Sequence, residues 1–123
     1  MIDERVALSL DGMKRAAAEA ISFVAGMSEA EFLESTTTQM ACAMCLILIG
    51  EATARIEKRS PDFVTEHADW PWSKIRGLRN IIVHYYNRLD MPTIWIVIHE
   101  SLPDLLLKIQ ALGELDPRLQ PKQ

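Results

Sequence analysis

All six prolines of this 123-residue chain, at 61, 71, 92, 103, 117 and 121, lie in its second half, so the first sixty residues are free to form uninterrupted helix. Apolar residues in that stretch recur at helical spacing. From Asp3 to Ala25, Val6, Leu10, Met13, Ala17, Ile21 and Val24 follow one another at three- and four-residue steps, with Arg5, Lys14, Arg15 and Glu19 mainly on the other side. Gly26 suits the C-terminal end of such a helix. Ser28 and Glu31 form a capping-box pattern that opens a further helical piece. A second start signal at Ser35 to Thr38 precedes Gln39 to Arg59, a long helix with Met40, Cys42, Ala43, Leu46, Ile49, Ala52 and Ile56 expected inward and Ser60-Pro61 ending it.

The prolines then set the punctuation of the second half. Residues 60–70 read as a connection with one short helical turn after Pro61, and Pro71 at a first helical position opens a segment through about His84. Asn87 to Met91 reads as a turn. Pro92 starts a last helix running to about Leu112, with Gly113 after it and a kink expected at Pro103, whose ring removes one hydrogen bond. This predicts an all-α bundle of about five helices in one domain over residues 1–113, followed by a flexible tail over 114–123. Leu46–Ile49, Asn80–Tyr86 and Thr93–Ile98 are rich in β-branched and aromatic residues, however, and short apolar runs do not separate helix from strand by periodicity. A mixed α+β domain stays open on the residues alone.

Composition narrows the class. With 49% hydrophobic and 24% charged residues the chain can bury enough apolar surface to offset its ordering entropy, which excludes disorder as the dominant state. The longest apolar run, Met40 to Ile49, is about half of the roughly 20 residues a bilayer helix needs, and the acid-bearing N-terminus has no apolar leader pattern. The expectation is a cytoplasmic protein with no membrane partner.

Charge is unevenly placed. The formal total is −4, yet between Pro71 and Arg88 the chain carries Lys74, Arg76, Arg79 and Arg88 and no acid. A basic island in an acidic chain suits one focused anionic ligand better than indiscriminate binding to polyanions. The alternative is an ordinary solvated helix face. Inside the island, Arg76 to Tyr86 gathers two arginines, Asn80, His84 and two tyrosines into eleven residues. On a helix Arg76, Asn80 and His84 share a face at successive i+4 steps, with Ile81 and Ile82 expected toward the core. Arg79 precedes His84 by five residues, about 140° round the helix, so these two converge only through the arginine's reach, a distorted helix end or a second subunit.

Such a set suits cleavage of RNA. A histidine with an ordinary pKa near 6.5 can take a proton from a ribose 2′-hydroxyl or return one to a leaving oxygen. An arginine offers a rigid fork of donors to phosphate oxygens whose charge grows in the transition state. Asn80 can orient His84 or bond phosphate. The island contains no carboxylate for Mg²⁺, and this chemistry requires neither metal nor cofactor.

The run Trp72-Ser73-Lys74-Ile75-Arg76-Gly77-Leu78-Arg79-Asn80-Ile81-Ile82-Val83-His84-Tyr85-Tyr86, with Asp90, Trp95 and Leu102-Pro103 after it and Ile49-Gly50-Glu51-Ala52 before it, resembles the HepT-like ribonucleases of the HEPN superfamily over roughly residues 3 to 112. The resemblance implies an antiparallel helical bundle that forms a homodimer, with the Arg–His motifs of two subunits facing one cleft. It implies a metal-independent endoribonuclease toxin of a type VII-like system, paired with an MntA-type nucleotidyltransferase antitoxin. Arg79 and His84 become the catalytic pair, with Asn80 the polar residue beside them. Tyr86 matches the tyrosine that the antitoxin modifies with AMP. Lys74, Arg76 and Arg88 are then candidates for holding the RNA phosphates. Where members often carry Arg-Asn ahead of Ile-Gly-Glu-Ala, this chain has Met44 and Cys45, which removes positive charge from the groove. That departure favours a second possibility, a non-catalytic helical adaptor that binds a nucleotide or the nucleotidyltransferase.

Other features read structurally. Cys42 and Cys45 have CxxC spacing but sit inside an apolar run with no second ligand pair, which points to core packing. His67 and His99 lack a metal motif, and Trp70, Trp72 and Trp95 are expected as core or interface anchors. Glu51, a lone carboxylate in an apolar stretch, is expected to pair with an arginine of the island or with a partner chain.

Overall fold

The computed structural model describes residues 2–114 and 116. Among them all regular structure is helical: α1 (Glu4–Val24), α2 (Glu29–Glu34), α3 (Thr36–Arg59), α4 (Pro61–Glu66), α5 (Trp72–Tyr85), a 3₁₀ turn (Tyr86–Arg88), α6 (Met91–Ile96), a π-helical turn (Val97–Ser101) and α7 (Leu102–Gly113). The three stretches compatible with strands all lie in helical turns, so the mixed α+β alternative falls. Most of the expected tail lies outside the described residues.

The start signals act as read. The Ser28–Glu31 capping box closes in both directions, and Asp3, read as the first residue of the helix, is instead its N-cap: its Oδ1 accepts from the backbone N–H groups of Arg5 (2.8 Å) and Val6 (3.4 Å). Ser35 Oγ accepts from Thr38 N at 3.2 Å and opens α3. Gly26 takes φ 77° after α1, a conformation costly for any residue with a Cβ.

α3 is the centre of the bundle, with α1 against one side and α5 against another, while α7 lies on α1. Arg59 pairs with Asp3, Arg55 Nε donates to Ser9 Oγ, and Cys42 Sγ lies 3.9 Å from the carbonyl of Ala20, so α1 and α3 are antiparallel. By length and composition α3 could cross a membrane, but half of that stretch is buried against its neighbours, the situation of a core helix. Leu10, Met13, Phe32, Ile49, Ile56, Ile94, Ile98, Leu105 and Ile109 are almost wholly buried, each contributing roughly 1.5–3 kcal/mol.

Two inward assignments need correcting. Met40 is 57% exposed, because it falls on the face of α3 that neither neighbour covers, and Ile81 is 45% exposed, because α5 packs chiefly on α3 and only Ile82 of that pair faces it. Pro71 also stands as the N-cap of α5 rather than its first turn. Near Pro103 the chain adopts a π turn, in which Leu102 N reaches back five residues to Val97 O. Proline cannot donate to the carbonyl four residues before it, and the widened turn absorbs that missing bond.

The tryptophans are anchors, as expected. Trp70 and Trp72 are buried, stack 5.3 Å apart and meet Phe63 edge-on, while Trp95 packs on Phe32 at 5.4 Å.

Candidate active site

α5 carries the basic island across α3, and one glycine sets how closely. A Cβ on Gly50 would stand 2.6 Å from Cγ of Arg79, well inside carbon–carbon contact, so only glycine lets the arginine's stem lie across α3 at this level. The next residue, Glu51, receives the guanidinium. Nε and Nη2 of Arg79 each lie 2.6 Å from Glu51 Oε1, and Nη1 donates to Asn80 Oδ1 at 3.1 Å. Gly50-Glu51 is thus a socket for Arg79: the glycine makes the space and the carboxylate fixes the direction. Because the guanidinium has five N–H donors, the terminal nitrogens keep some for an incoming phosphate.

Six residues farther along α3, Glu57 Oε1 lies 2.9 Å from Arg76 Nε, a charge contact without an aligned hydrogen bond. Sequence reasoning missed Glu57. The paired helices run antiparallel, with Arg79 opposite Gly50 and Arg76 opposite Glu57, and a second acid on the α5-facing side of α3 was the available signal. The island has no acid of its own, but two of its cations are countered from α3. Lys74 is exposed at the other end of α5, at the rim of an apolar groove of about 390 Å³ between α5 and the α6–α7 arm.

His84 stands exposed in the last turn of α5 on the face shared with Arg76 and Asn80, both also exposed. Among the described residues no hydrogen bond or ion pair joins it to Arg79, which leans toward α3. The two occupy one helix but not one point, as the 140° separation requires.

At Tyr85 the backbone leaves α-helical geometry (φ −140°, ψ 40°) and enters the 3₁₀ turn. Across that break the adjacent tyrosines differ sharply in burial. Tyr85 is 54% exposed, whereas Tyr86 packs against the core with its hydroxyl enclosed and, among the described residues, without a hydrogen-bond partner. Arg88 returns over Tyr85, its guanidinium carbon 5.8 Å from the ring centre. Cys42 and Cys45 are buried. Desolvation first, and the neighbouring Cys45 second, push the Cys42 thiol up to about 11, and burial also raises Cys45, the opposite of what a reactive dithiol needs.

Comparison with known proteins places the chain in a family. The family described as "Ribonuclease HepT-like" matches residues 13–112. A Thermococcus cleftensis protein named "Probable ribonuclease HepT" is 32% identical over 82 residues, covering 67% of this chain and 72% of its own. A protein of Methanocaldococcus jannaschii named as a candidate RNase is 28% identical over 92 residues (75% of this chain, 82% of its own), and one from Caldanaerobacter subterraneus subsp. tengcongensis, named likewise, is 28% identical with 75% and 80% covered. No solved structure matches. The matched span contains the whole of the Arg79 socket and the helix that carries His84, and the chain belongs to the HepT-like ribonuclease family.

Proposed function

We propose that this chain is an endoribonuclease whose Arg79 and His84 cut RNA by attack of a 2′-hydroxyl on the adjacent phosphorus. The observation that carries the reading is the Arg79 socket: a guanidinium is fixed by Gly50, Glu51 and Asn80 with terminal donors still open, on the helix that ends in an exposed histidine. In the reaction His84 takes the proton of the 2′-hydroxyl, the 2′ oxygen bonds to phosphorus, and the bond to the 5′ oxygen breaks. That oxygen leaves with a proton from a second imidazole, and Arg79 donates to the phosphoryl oxygens as their charge grows. The products are a 2′,3′-cyclic phosphate and a 5′-hydroxyl.

A homodimer supplies the second imidazole. Supporting it are the angular separation of Arg79 from His84 within one chain and the exposed Ile81 and Val83, 45% and 44% open, on the same helix. In this reading the protein is the toxin of a type VII-like pair in the cytoplasm, held in check by an MntA-type nucleotidyltransferase. An AMP group on Tyr86 would bring bulk and negative charge to the RNA groove. Its hydroxyl is enclosed, so the 3₁₀ turn Tyr86–Arg88 must open before the transfer. Arg76, Lys74 and Arg88 line the approach of the phosphate chain.

The test is incubation of the purified protein with labelled RNA in EDTA. Fragments ending in 2′,3′-cyclic phosphate are expected from the parent and none from His84→Ala, with the fold of the variant retained. Equal cleavage by His84→Ala refutes the assignment, and an inert parent leaves the adaptor reading in its place.

A further inference from the structure

We propose that Tyr85, backed by Arg88, is a stacking platform for an unpaired nucleobase next to the phosphodiester that is cut. The inference rests on the ribonuclease reading above and adds a binding residue to it. An aromatic ring more than half open to solvent is a poor use of apolar surface unless something covers it, and the neighbouring tyrosine shows that the chain can bury one at this helix end. The break at φ −140°, ψ 40° is what presents the first tyrosine and hides the second. The presented ring is held from two sides. Arg88 lies over it at 5.8 Å, and the His84 imidazole meets it edge-on with centroids 6.4 Å apart.

The contacts suit single-stranded RNA in particular. Every base has a π face, so an aromatic platform binds nucleotides with little regard to sequence, provided they are unpaired. The Arg88 guanidinium sits too close to the ring to admit a base between them. The base therefore stacks on the remaining face, and the cation is left beside the backbone to meet a phosphate. A base seated on Tyr85 brings its own ribose, rather than a distant one, against the adjacent His84. Tyr85 thereby selects loops and single strands over duplex, and fixes the cut with respect to one stacked nucleotide.

The experiment uses the full chain carrying His84→Ala, so that RNA is bound without being cut, and a fluorescein-labelled single-stranded ten-nucleotide RNA read by anisotropy. Adding Tyr85→Leu, which keeps apolar bulk without a π face, is expected to weaken binding on the order of ten-fold, while Tyr85→Phe stays within about two-fold of the His84→Ala parent. A series of the same RNA with one abasic position at a time separates stacking from any change in the fold. One position is expected to weaken binding about ten-fold with Tyr85 present and to have no effect with Tyr85→Leu. Equal binding by the leucine and tyrosine proteins, or abasic penalties that persist in Tyr85→Leu, overturns the platform while leaving the ribonuclease reading intact. An unmutated protein that yields no RNA fragments overturns that reading first, and the platform with it.

Discussion

Replacing Gly50 by alanine puts the Arg79 socket to its most direct test. The new methyl would stand 2.6 Å from Arg79 Cγ, where carbon atoms settle at about 3.5–4.0 Å, so something must give by roughly 1 Å. The colliding atoms are Cβ and Cγ, the root of the side chain, so the clash is not relieved by swinging the guanidinium alone. Either α5 lifts from α3 or Arg79 leaves its rotamer. Overpacking of this kind costs about 1–3 kcal/mol, partly offset by the ~1 kcal/mol that alanine gains over glycine in a helix interior. The net expectation is about 0–2 kcal/mol of destabilisation, read as a drop in the urea midpoint with an unchanged slope. Cleavage should fall much further, on the order of 100-fold, because a 1 Å displacement of a positioned group costs about that much. Gly12→Ala is the control: nothing lies within 4 Å of its added Cβ, so it should stabilise α1 by about 0.8–1 kcal/mol and leave cleavage unchanged. If Gly50→Ala matches Gly12→Ala in both stability and rate, the socket does not exist as described.

Three further outcomes are expected. Glu51→Gln removes the charge that directs Arg79 and should lower kcat about ten-fold or more without raising KM, since the arginine becomes freer to meet phosphate but less well aimed; an unchanged kcat in steady-state kinetics would contradict this. The thiols of Cys42 and Cys45, raised by burial, should resist a disulfide reagent at pH 8 in the native protein and react fully in denaturant, and rapid native labelling would show that the core at α3 opens readily. Asp3 is held below the usual carboxylate range, first by the backbone N–H of Arg5 and then by Arg59 and the N–H of Val6. A depressed carboxyl contributes stability above its unfolded value near 3.9 and loses it as pH falls through its folded value, so stability should drop on acidification below about pH 4, and Asp3→Asn should flatten that part of the urea-midpoint profile.

What could be read from the residues alone follows the reach of each signal. Caps and prolines act over three or four positions, and they placed both ends of α1 within a residue, the start of α2 and the end of α3, while α3 begins at Thr36, three residues before the expected Gln39; Ser28 with Glu31 and Ser35 with Thr38 do in space what they promise in sequence. Periodicity placed Ile82 and Ile49 inward because each faces a neighbouring helix. It failed at Met40 and Ile81, since a stripe of apolar residues shows that a helix has a face but not how much of that face another helix covers. The π turn before Pro103 was legible as an irregularity and not as its form, because the proline signals a missing hydrogen bond without saying how the chain absorbs it. At the site, Arg76, Asn80 and His84 were placed on one face by spacing, and Arg79 was singled out by the family resemblance. Glu57, and the opposite fates of Tyr85 and Tyr86, were not legible, because the first depends on the register of two antiparallel helices and the second on one pair of dihedral angles.

That register also resolves the tension between an acidic protein and an anionic substrate. Had the four cations of the island stood free, their value would lie in long-range attraction, which salt screens and which holds a polyanion without orienting it. The structure instead couples Arg79 to Glu51 and Arg76 to Glu57, which lowers the net charge of the basic island and fixes the direction of the Arg79 guanidinium. A partly exposed pair adds little stability by itself, so its worth here is geometric. In the proposed reaction, an arginine aimed before substrate arrives loses less freedom when charge develops on the phosphoryl oxygens, and a weakly basic surface would release cut RNA more readily than a strongly basic one. Met44 and Cys45 continue the same trend: Cys45 is buried and Met44 exposed, and neither adds charge on α3. Under the proposed function, the burden of holding RNA shifts from the phosphate chain toward its bases, on the side of the proposed site where Tyr85 stands open.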